Sequence, residues 1–538
     1  MTQAKTGDEG RIPYRLRIGV TGHRRLPDDG ALAEQVRRAL QRIRELLPSS
    51  PFTPVLFTIV SPLAEGADRL VAREVLKSEG ADLEVSLPMP QEEYLCDFRS
   101  DESKREFDDL LSRAREVTEL GPSESREQVY ESVGRYVVDH CDVLIGLWDG
   151  EPSRGQGGTA EIMCYARRRG VPLIWIDTKA PHELVVALGT GLNTASLRQL
   201  DEYNRAKIAQ EGFERGVSEY RHQLSVAGQR SDTGALPLQA ISEWVSAFYA
   251  RADLLAMRYQ NWYYILSNAL FLLAAAAVAA IASQVVLAPD RLELVWIEVV
   301  LMFGVLVIVG AGRLWRFYDR WISYRFLAER FRSAYFLALA GFGGHREAGL
   351  ERAHLRHSSE EWDWRGFGEV WSRRPRVEIA ESGVADLRQF LTEAWIEDQR
   401  NFHRSAHHKY RFRHLRLSRI TEFLFGATIL AAVLHALGVG EHGSLGSLSL
   451  SDVLSLLAIS LPALGAAVGG ILAEREYMRN SGRYGEMVEH LGVAKRRMEA
   501  AEDLEAVRTA AAEAENLMLQ ENRDWFVVMS VHGPEVRL

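Results

Sequence analysis

Cysteine is scarce: Cys96, Cys141 and Cys164 are the only three in 538 residues. They lack metal-ligand spacing and are odd in number, which rules out a cysteine metal site and fits reduced thiols in a cytoplasmic compartment. The N-terminal half has no long basic block and the formal net charge is −9, so no nucleic-acid partner is expected. The opening MTQAKTGDEG has no apolar core, so no cleaved signal peptide is expected. A chain of this length exceeds what one compact core supports, and more than one domain follows.

The mean hydropathy of −0.14 conceals four apolar runs, at residues 265–288, 294–312, 423–440 and 453–473. Each meets or approaches the roughly 20 residues that a membrane-spanning helix needs. Glu298 and His435 lie near enough to the ends of their runs to snorkel. The alternative is buried helices in a soluble core, but the runs arrive as two close pairs with charged flanks. The loop inside the first pair, PDRLE, has one Arg against two acids, and residues 441–451 inside the second have no Lys or Arg. Residues 313–332 carry six Arg against two acids, and residues 404–419 carry six Lys/Arg and no acid. The positive-inside rule then places both short loops outside and both termini in the cytoplasm, as in a multi-pass protein of the inner membrane.

Residues 12–185 alternate strand-like and helix-like runs, predicting an α/β Rossmann-like domain built on a doubly wound parallel sheet. The rest predicts an all-α region with four transmembrane helices. It divides into a helical linker (186–262), a first transmembrane hairpin with a cytoplasmic helix (263–345), a cytoplasmic helical connector (346–418), a second hairpin (419–475) and a cytoplasmic helical tail (476–538). The hairpins echo each other weakly. Each follows an aromatic-basic stretch (RYQNWYY; KYRFRHLRLSR) and precedes a charged helix with Tyr and Arg, as an internal duplication would.

In a doubly wound sheet, ligands bind beyond the carboxyl ends of the strands. Three stretches fall there. GVTGHRRL carries Gly19, Thr21, Gly22, His23 and Arg24; SPLAEGADRLV carries Glu65, Gly66, Asp68 and Arg69; RGQGGTAE carries Gly155, Gly157, Gly158, Thr159 and Glu161. Glycine lets backbone N–H groups approach an anion, and a helix N-terminus favours negative charge. Each stretch alone is equally an ordinary turn, and Asp68 equally a surface residue opening a helix. Three such turns on one sheet point to a nucleotide or phosphoribosyl pocket. The loop PMPQEEYLCDF, with Glu92, Glu93 and Tyr94, either covers a base or ribose or is a surface loop entering a helix.

The pattern GVTGHR, LAEGADRL and CDVLIGLWDG…GGTAE resembles the SLOG superfamily over about residues 12–185. That superfamily includes DprA-like proteins, LOG enzymes and the nucleotide-sensing domains of melastatin-type TRP channels. The remainder, with WISYRFLAERFR directly after a membrane hairpin, resembles the SLATT membrane effectors. The resemblances imply a nucleotide second messenger of the ADP-ribose, NAD or cyclic-nucleotide type as ligand, with no obligatory cofactor. They imply a sensor that gates or assembles a membrane region, pore-forming or membrane-disrupting, in bacterial antiphage defence. LOG hydrolases carry Gly-Gly-X-Gly-Thr and a downstream Glu; Gly157, Gly158, Thr159 and Glu161 match only part of this. Their preceding Arg has no clear counterpart beyond Arg135, Asp139 and His140 in the stretch before the loop. Glycosidic cleavage needs a placed acid or base and oxocarbenium stabilisation, so Glu161 fits ribose binding better than catalysis. A membrane-tethered nucleotide or NAD hydrolase and a membrane-anchored scaffold are the alternatives.

His403, His407, His408 and His414 sit in a Lys/Arg-rich stretch before a span, where anchoring to anionic headgroups explains them without a metal. Gly465 and Gly469, with Ala466 and Gly470, permit close helix packing, and Pro462 is expected to kink that helix. Any pore would be lined by small and hydroxyl residues such as Ser455 and Ser460, and the small-residue face predicts a homo-oligomer.

Overall fold

The structure is a computed structural model; it describes residues 9–121, 125–152, 157–180, 184–187, 191–230, 236–342, 361–439, 444–445 and 448–531. The chain divides into two compact units. The first holds β1 (Tyr14–Gly22), α1 (Asp29–Leu46), β2 (Val55–Ser61), α2 (Ala67–Leu76), β3 (Asp82–Leu87), α3 (Gln91–Tyr94), α4 (Asp101–Ser112), β4 (Glu116–Glu119), α5 (Arg126–His140), β5 (Val143–Trp148), α6 (Thr159–Arg168), β6 (Leu173–Asp177), β7 (Leu184–Ala187) and α7 (Ala195–Arg205). The strands form one sheet in the order β4-β3-β2-β1-β5-β6-β7. The first six are parallel, and β7 pairs antiparallel at the edge. The inner strands are buried Ile, Val and Leu, the composition that a sheet covered on both faces requires.

Helices α1 and α2 pack together, as do α5 and α6. An added Cβ at Gly19 would meet Val137 and Cys141 of the α5 side at 2.8–2.9 Å, and one at Gly22 would meet Ala67 of α2 at 2.4 Å. Residues an odd number apart in a strand point to opposite faces, so the two helix pairs cover opposite faces. Strand order reverses between β1 and β5. This is the expected doubly wound sheet, with its switch point at that pair.

The second unit holds α8 (Gln210–Arg230), α9 (Leu238–Leu287), α10 (Val295–Trp315) and α11 (Phe317–Leu339). The chain then returns to the first unit as α12 (Glu361–Trp371). The second unit resumes with α13 (Val384–Phe390), a π-helical stretch (Leu391–Glu397), α14 (Asp398–Ala436), α15 (Leu450–Arg475), α16 (Tyr477–Glu499) and α17 (Leu504–Val531). Four helical segments here are long and apolar enough to cross a membrane. Their apolar side chains face outward: Val300 is 66% exposed, Leu306 68%, Phe423 73% and Ile429 66%. Buried helices of a soluble core would hide these residues, and water would penalise exposing them.

The two hairpins repeat one pattern. An apolar helix returns (α10 or α15), and one left-handed non-glycine residue follows, Arg316 at φ 48° or Glu476 at φ 45°. A further helix carrying Tyr and Arg (α11 or α16) then runs on. Tyr259 of α9 meets Tyr324 edge-on at 5.4 Å and lies 6.1 Å from Phe317. Tyr410 of α14 meets Tyr484 edge-on at 5.3 Å and Tyr477 at 5.7 Å. Tyr324 and Tyr484 each stand eight residues past the left-handed position, so the echo in sequence is an echo in packing.

The glycines of α15 split between uses. A Cβ at Gly470 would sit 2.5 Å from the Phe271 ring of α9, one at Gly465 3.3 Å from Phe425 of α14, and one at Gly469 would meet nothing within 4 Å. Close packing at Gly465 and Gly470 is therefore within the chain. Gly470→Val is expected to cost about 1–3 kcal/mol through overpacking and Gly469→Val little, read as thermal midpoints in detergent. The reverse order would mean that Gly469 packs between copies.

Candidate functional site

The turns after β1, β2 and β5 converge at the switch point. The His23 amide donates to Leu147 O at 3.1 Å, and the Ala67 amide donates to His23 O at 3.1 Å. His23 Nε2 lies 3.2 Å from the Asp149 amide nitrogen and 3.0 Å from Asp149 Oδ1. Burial would raise the Asp149 carboxyl, but hydrogen bonds from the Glu151 amide and His23 hold it below its ordinary value. Gly22 and Gly66 make this convergence possible. Gly66 has φ 81°, and a Cβ there would lie 2.5 Å from the carbonyl oxygens of both His23 and Arg24. The sequence suggested that these glycines free backbone for an anion; in the structure they let turn pack on turn. Gly19 lies three residues down β1 against α5, away from the mouth, while Thr21 pairs with Gly146 near the strand ends.

Beside the convergence lies a buried polar group of residues. Asp68 is 5% exposed, so it is not a surface helix residue. Its Oδ2 accepts from the Ala64 amide at 3.2 Å. Burial pushes its carboxyl up to about 7, against the Ala64 hydrogen bond and the charges of Arg24 and Arg69. Arg69 is 2% exposed. It donates to Leu63 O, Ser103 O and Ser103 Oγ, pairs with Glu106 at 3.0 Å, and lies over the Phe98 ring at 4.6 Å. Its Nη2 has no hydrogen-bond partner among the described residues. Glu65 accepts from Ser103 Oγ and the Arg99 amide. Burial would raise its carboxyl, but these bonds and the nearby arginines hold it below its ordinary value.

Tyr94 corrects one expectation. Far from standing on a surface loop, it is fully buried, edge-on to Phe98 at 4.9 Å and Phe107 at 5.8 Å, because α3 turns its ring into an aromatic cluster. Glu92 and Glu93 stay exposed. The Tyr94 hydroxyl has no partner among the described residues. Burial, with the Asp68 charge adding, raises it far above the usual phenol range, so it remains a neutral donor. Arg24 is exposed and lies over the Tyr130 ring at 4.9 Å, and Tyr130 in turn bonds Asp97. Tyr130, Asp97 and Asp149 carried no sequence signal as site residues beyond the last one's position after a strand.

In the loop after β5, Gly155 lies outside the described residues. Gly157 has φ 79°, and a Cβ there would come within 2.8 Å of the Glu131 amide nitrogen. Gly158 caps α6, Thr159 opens it, and Glu161 Oε2 accepts from the Gly157 amide at 2.9 Å. One oxygen of Glu161 thus closes its own loop, on the amide of the residue just before the helix cap. The structure therefore brings Gly22, His23, Arg24, Glu65, Gly66, Asp68 and Arg69 together as one cluster. Gly157, Gly158, Thr159 and Glu161 stand on the loop that leaves the adjoining strand.

No protein-family model matches this chain, and no curated protein matches it.

Proposed function

We propose that the sheet unit binds a small anionic, nucleotide-type ligand at the switch point and that the helical unit anchors it in a membrane. The observation that carries this reading is the buried pair of unpartnered donors, Arg69 Nη2 and the Tyr94 hydroxyl, with Asp68 and the exposed Arg24 where three turns meet. Such donors suit phosphate or ribose oxygens, and polar groups this buried cost free energy while unpaired. The resemblance to SLOG and SLATT proteins supports a nucleotide-derived signal, of the ADP-ribose, NAD or cyclic-nucleotide type, controlling a membrane effector in antiphage defence. The positive-inside pattern supports an inner-membrane protein with both termini in the cytoplasm. Binding would act by favouring one of two membrane arrangements, closed or open, dispersed or assembled, and only to the extent that its affinity for them differs. Glu161 then holds a loop rather than cleaving a bond.

Titration of the full-length protein in detergent with ADP-ribose, NAD and cyclic nucleotides tests this. At least one should bind, and Arg24→Ala should weaken it by about tenfold, as loss of a charge-assisted contact does. Asp68 supplies a pH signature. Its folded pKa stands above the ordinary value of 3.8, so the folded protein holds a proton that is lost as pH rises through about 7. An anion nearby favours the protonated form. Affinity should therefore fall by up to about tenfold per pH unit above that point, and Asp68→Asn should flatten the curve. Failure of every ligand to bind removes the reading, and a flat profile in the unmodified protein removes Asp68 from the pocket. Turnover of NAD that vanishes in Glu161→Gln would favour the hydrolase instead.

A further inference from the structure

Helix α14 has a second feature that a signal pocket does not use. Its covered positions, including His403, Ala406, His407, Tyr410, His414, Leu417, Thr421 and Leu424, recur at helical spacing. Several of these meet α16: His403 and Tyr410 contact Tyr484, and His407 Nδ1 lies 2.7 Å from the Ser481 carbonyl. The histidines that invited a metal reading are thus partly spent in helix packing. The opposite arc is exposed and presents Arg404, Lys409, Arg411, Arg413, Arg416 and Arg419. No Asp or Glu occurs between Asp398 and Glu422, and among the described residues none of these six cations forms an ion pair with a carboxylate. Phe412 is 66% exposed, Leu415 46% and Ile420 38%. The same unbroken helix then becomes apolar and outward-facing from Phe423.

We propose that this exposed arc of α14 is a binding surface for anionic phospholipid headgroups. The inference rests on the membrane placement of the apolar half of α14 and not on any ligand of the sheet unit. A helix rises about 1.5 Å per residue, so Arg419 lies about 6 Å and Arg416 about 10 Å from Phe423 along the axis. The polar layer of a leaflet is roughly 5–8 Å deep, which puts those two guanidinium groups among the headgroup phosphates. Arg411 and Arg413 stand about 15–18 Å up the axis, roughly one Debye length of about 8 Å beyond that layer, and still feel its potential. Arg404, about 28 Å away, does not. Guanidinium groups pair with phosphate in bidentate geometry, and the exposed Phe412, Leu415 and Ile420 suit the boundary between headgroups and acyl chains. The charge alone would attract any phosphate; its position at the end of an apolar span selects a lipid.

The test uses full-length protein reconstituted in phosphatidylcholine vesicles containing a minor fraction of phosphatidylglycerol. Spin-labelled forms of each lipid report the relative occupancy of the protein surface. At low ionic strength phosphatidylglycerol should be preferred by about fivefold or more, the effect of one or two cations near an anionic surface. The preference should shrink in high salt. It should disappear when Arg411, Arg413, Arg416 and Arg419 are all replaced by Gln. Arg416→Glu with Arg419→Glu should turn it into a preference for phosphatidylcholine, and Arg404→Gln should leave it unchanged. Circular dichroism of each variant in detergent confirms that the helices persist. Equal occupancy by both lipids, or a preference that survives the four substitutions, overturns the proposal. So does displacement of phosphatidylglycerol by millimolar inorganic phosphate, which would make the surface a general anion site.

Discussion

Gly66→Ala is expected to destabilise the sheet unit by roughly 2–6 kcal/mol, the sum of backbone strain and overpacking. Gly66 adopts φ 81° and ψ −117°, a region that L-residues scarcely enter. The added methyl would also stand 2.5 Å from two carbonyl oxygens, His23 O and Arg24 O, and backbone cannot swing aside as a side chain can. Either the turn after β1 or that after β2 must move, which separates Arg24 from Asp68 and opens the proposed pocket. Hydrogen exchange of the full-length protein should show lost protection in β1, β2 and α2, along with loss of ligand binding. Gly121→Ala is the control, since a Cβ there meets nothing within 4 Å and its φ is ordinary. If the two variants exchange alike, the turn is softer than its geometry implies.

The second large effect lies at the other end of the sheet. Glu369 of α12, its side chain 2% exposed, accepts from Nε and Nη2 of Arg15 on β1. It also pairs with Arg373 and lies 3.7 Å from Arg115. Arg15 additionally donates to Thr58 Oγ1 and Phe57 O at 3.2 Å and pairs with Asp82 at 2.9 Å. Glu369→Ala would leave a buried guanidinium short of its main counter-charge, at about 3–5 kcal/mol. Glu369→Gln keeps one acceptor and should cost less. Because Arg15 and Arg17 open β1 while the pocket lies beyond its end, ligand affinity of the protein that remains folded should be unchanged. An affinity loss matching the stability loss would mean that the two ends of the sheet are coupled. A drop under about 1 kcal/mol would mean that Asp82 compensates, as for an exposed pair.

Neighbouring Asp142 shows the same dependence on distant sequence. Arg365 reaches it with both terminal nitrogens, and the Arg17 amide donates to it at 2.8 Å. Burial would raise its carboxyl, yet Arg365 and Arg17 hold it below its ordinary value. That stabilisation is present above the unfolded value of about 3.9 and is lost only as pH falls through the lower folded value.

Periodicity made the sheet and the spans legible. Strands such as RIGV and VLIGLW are buried on both faces and so read as unbroken apolar runs, and four helical segments are long and apolar enough to cross a membrane. The three turns were legible because Gly at a strand end signals a close approach. What approaches was not: at Gly22 and Gly66 it is a neighbouring turn. The polar stretch PMPQEEY left Tyr94 open between covering a ligand and lying on a surface loop, and only its packing against Phe98 and Phe107 shows the ring buried.

Sequence alone determined where apolar residues recur and therefore which segments become strands, helices and helices apolar enough to cross a membrane. That information is local, written in spacings of two to four residues and in run length. Tertiary structure decided that Glu369 neutralises Arg15 across 354 residues, that Tyr410 and Tyr259 hold matching places in two hairpins, and that Glu161 spends one carboxylate oxygen on its own loop. Those outcomes depend on which side chains meet after the chain has closed on itself, and neither spacing nor composition carries that information.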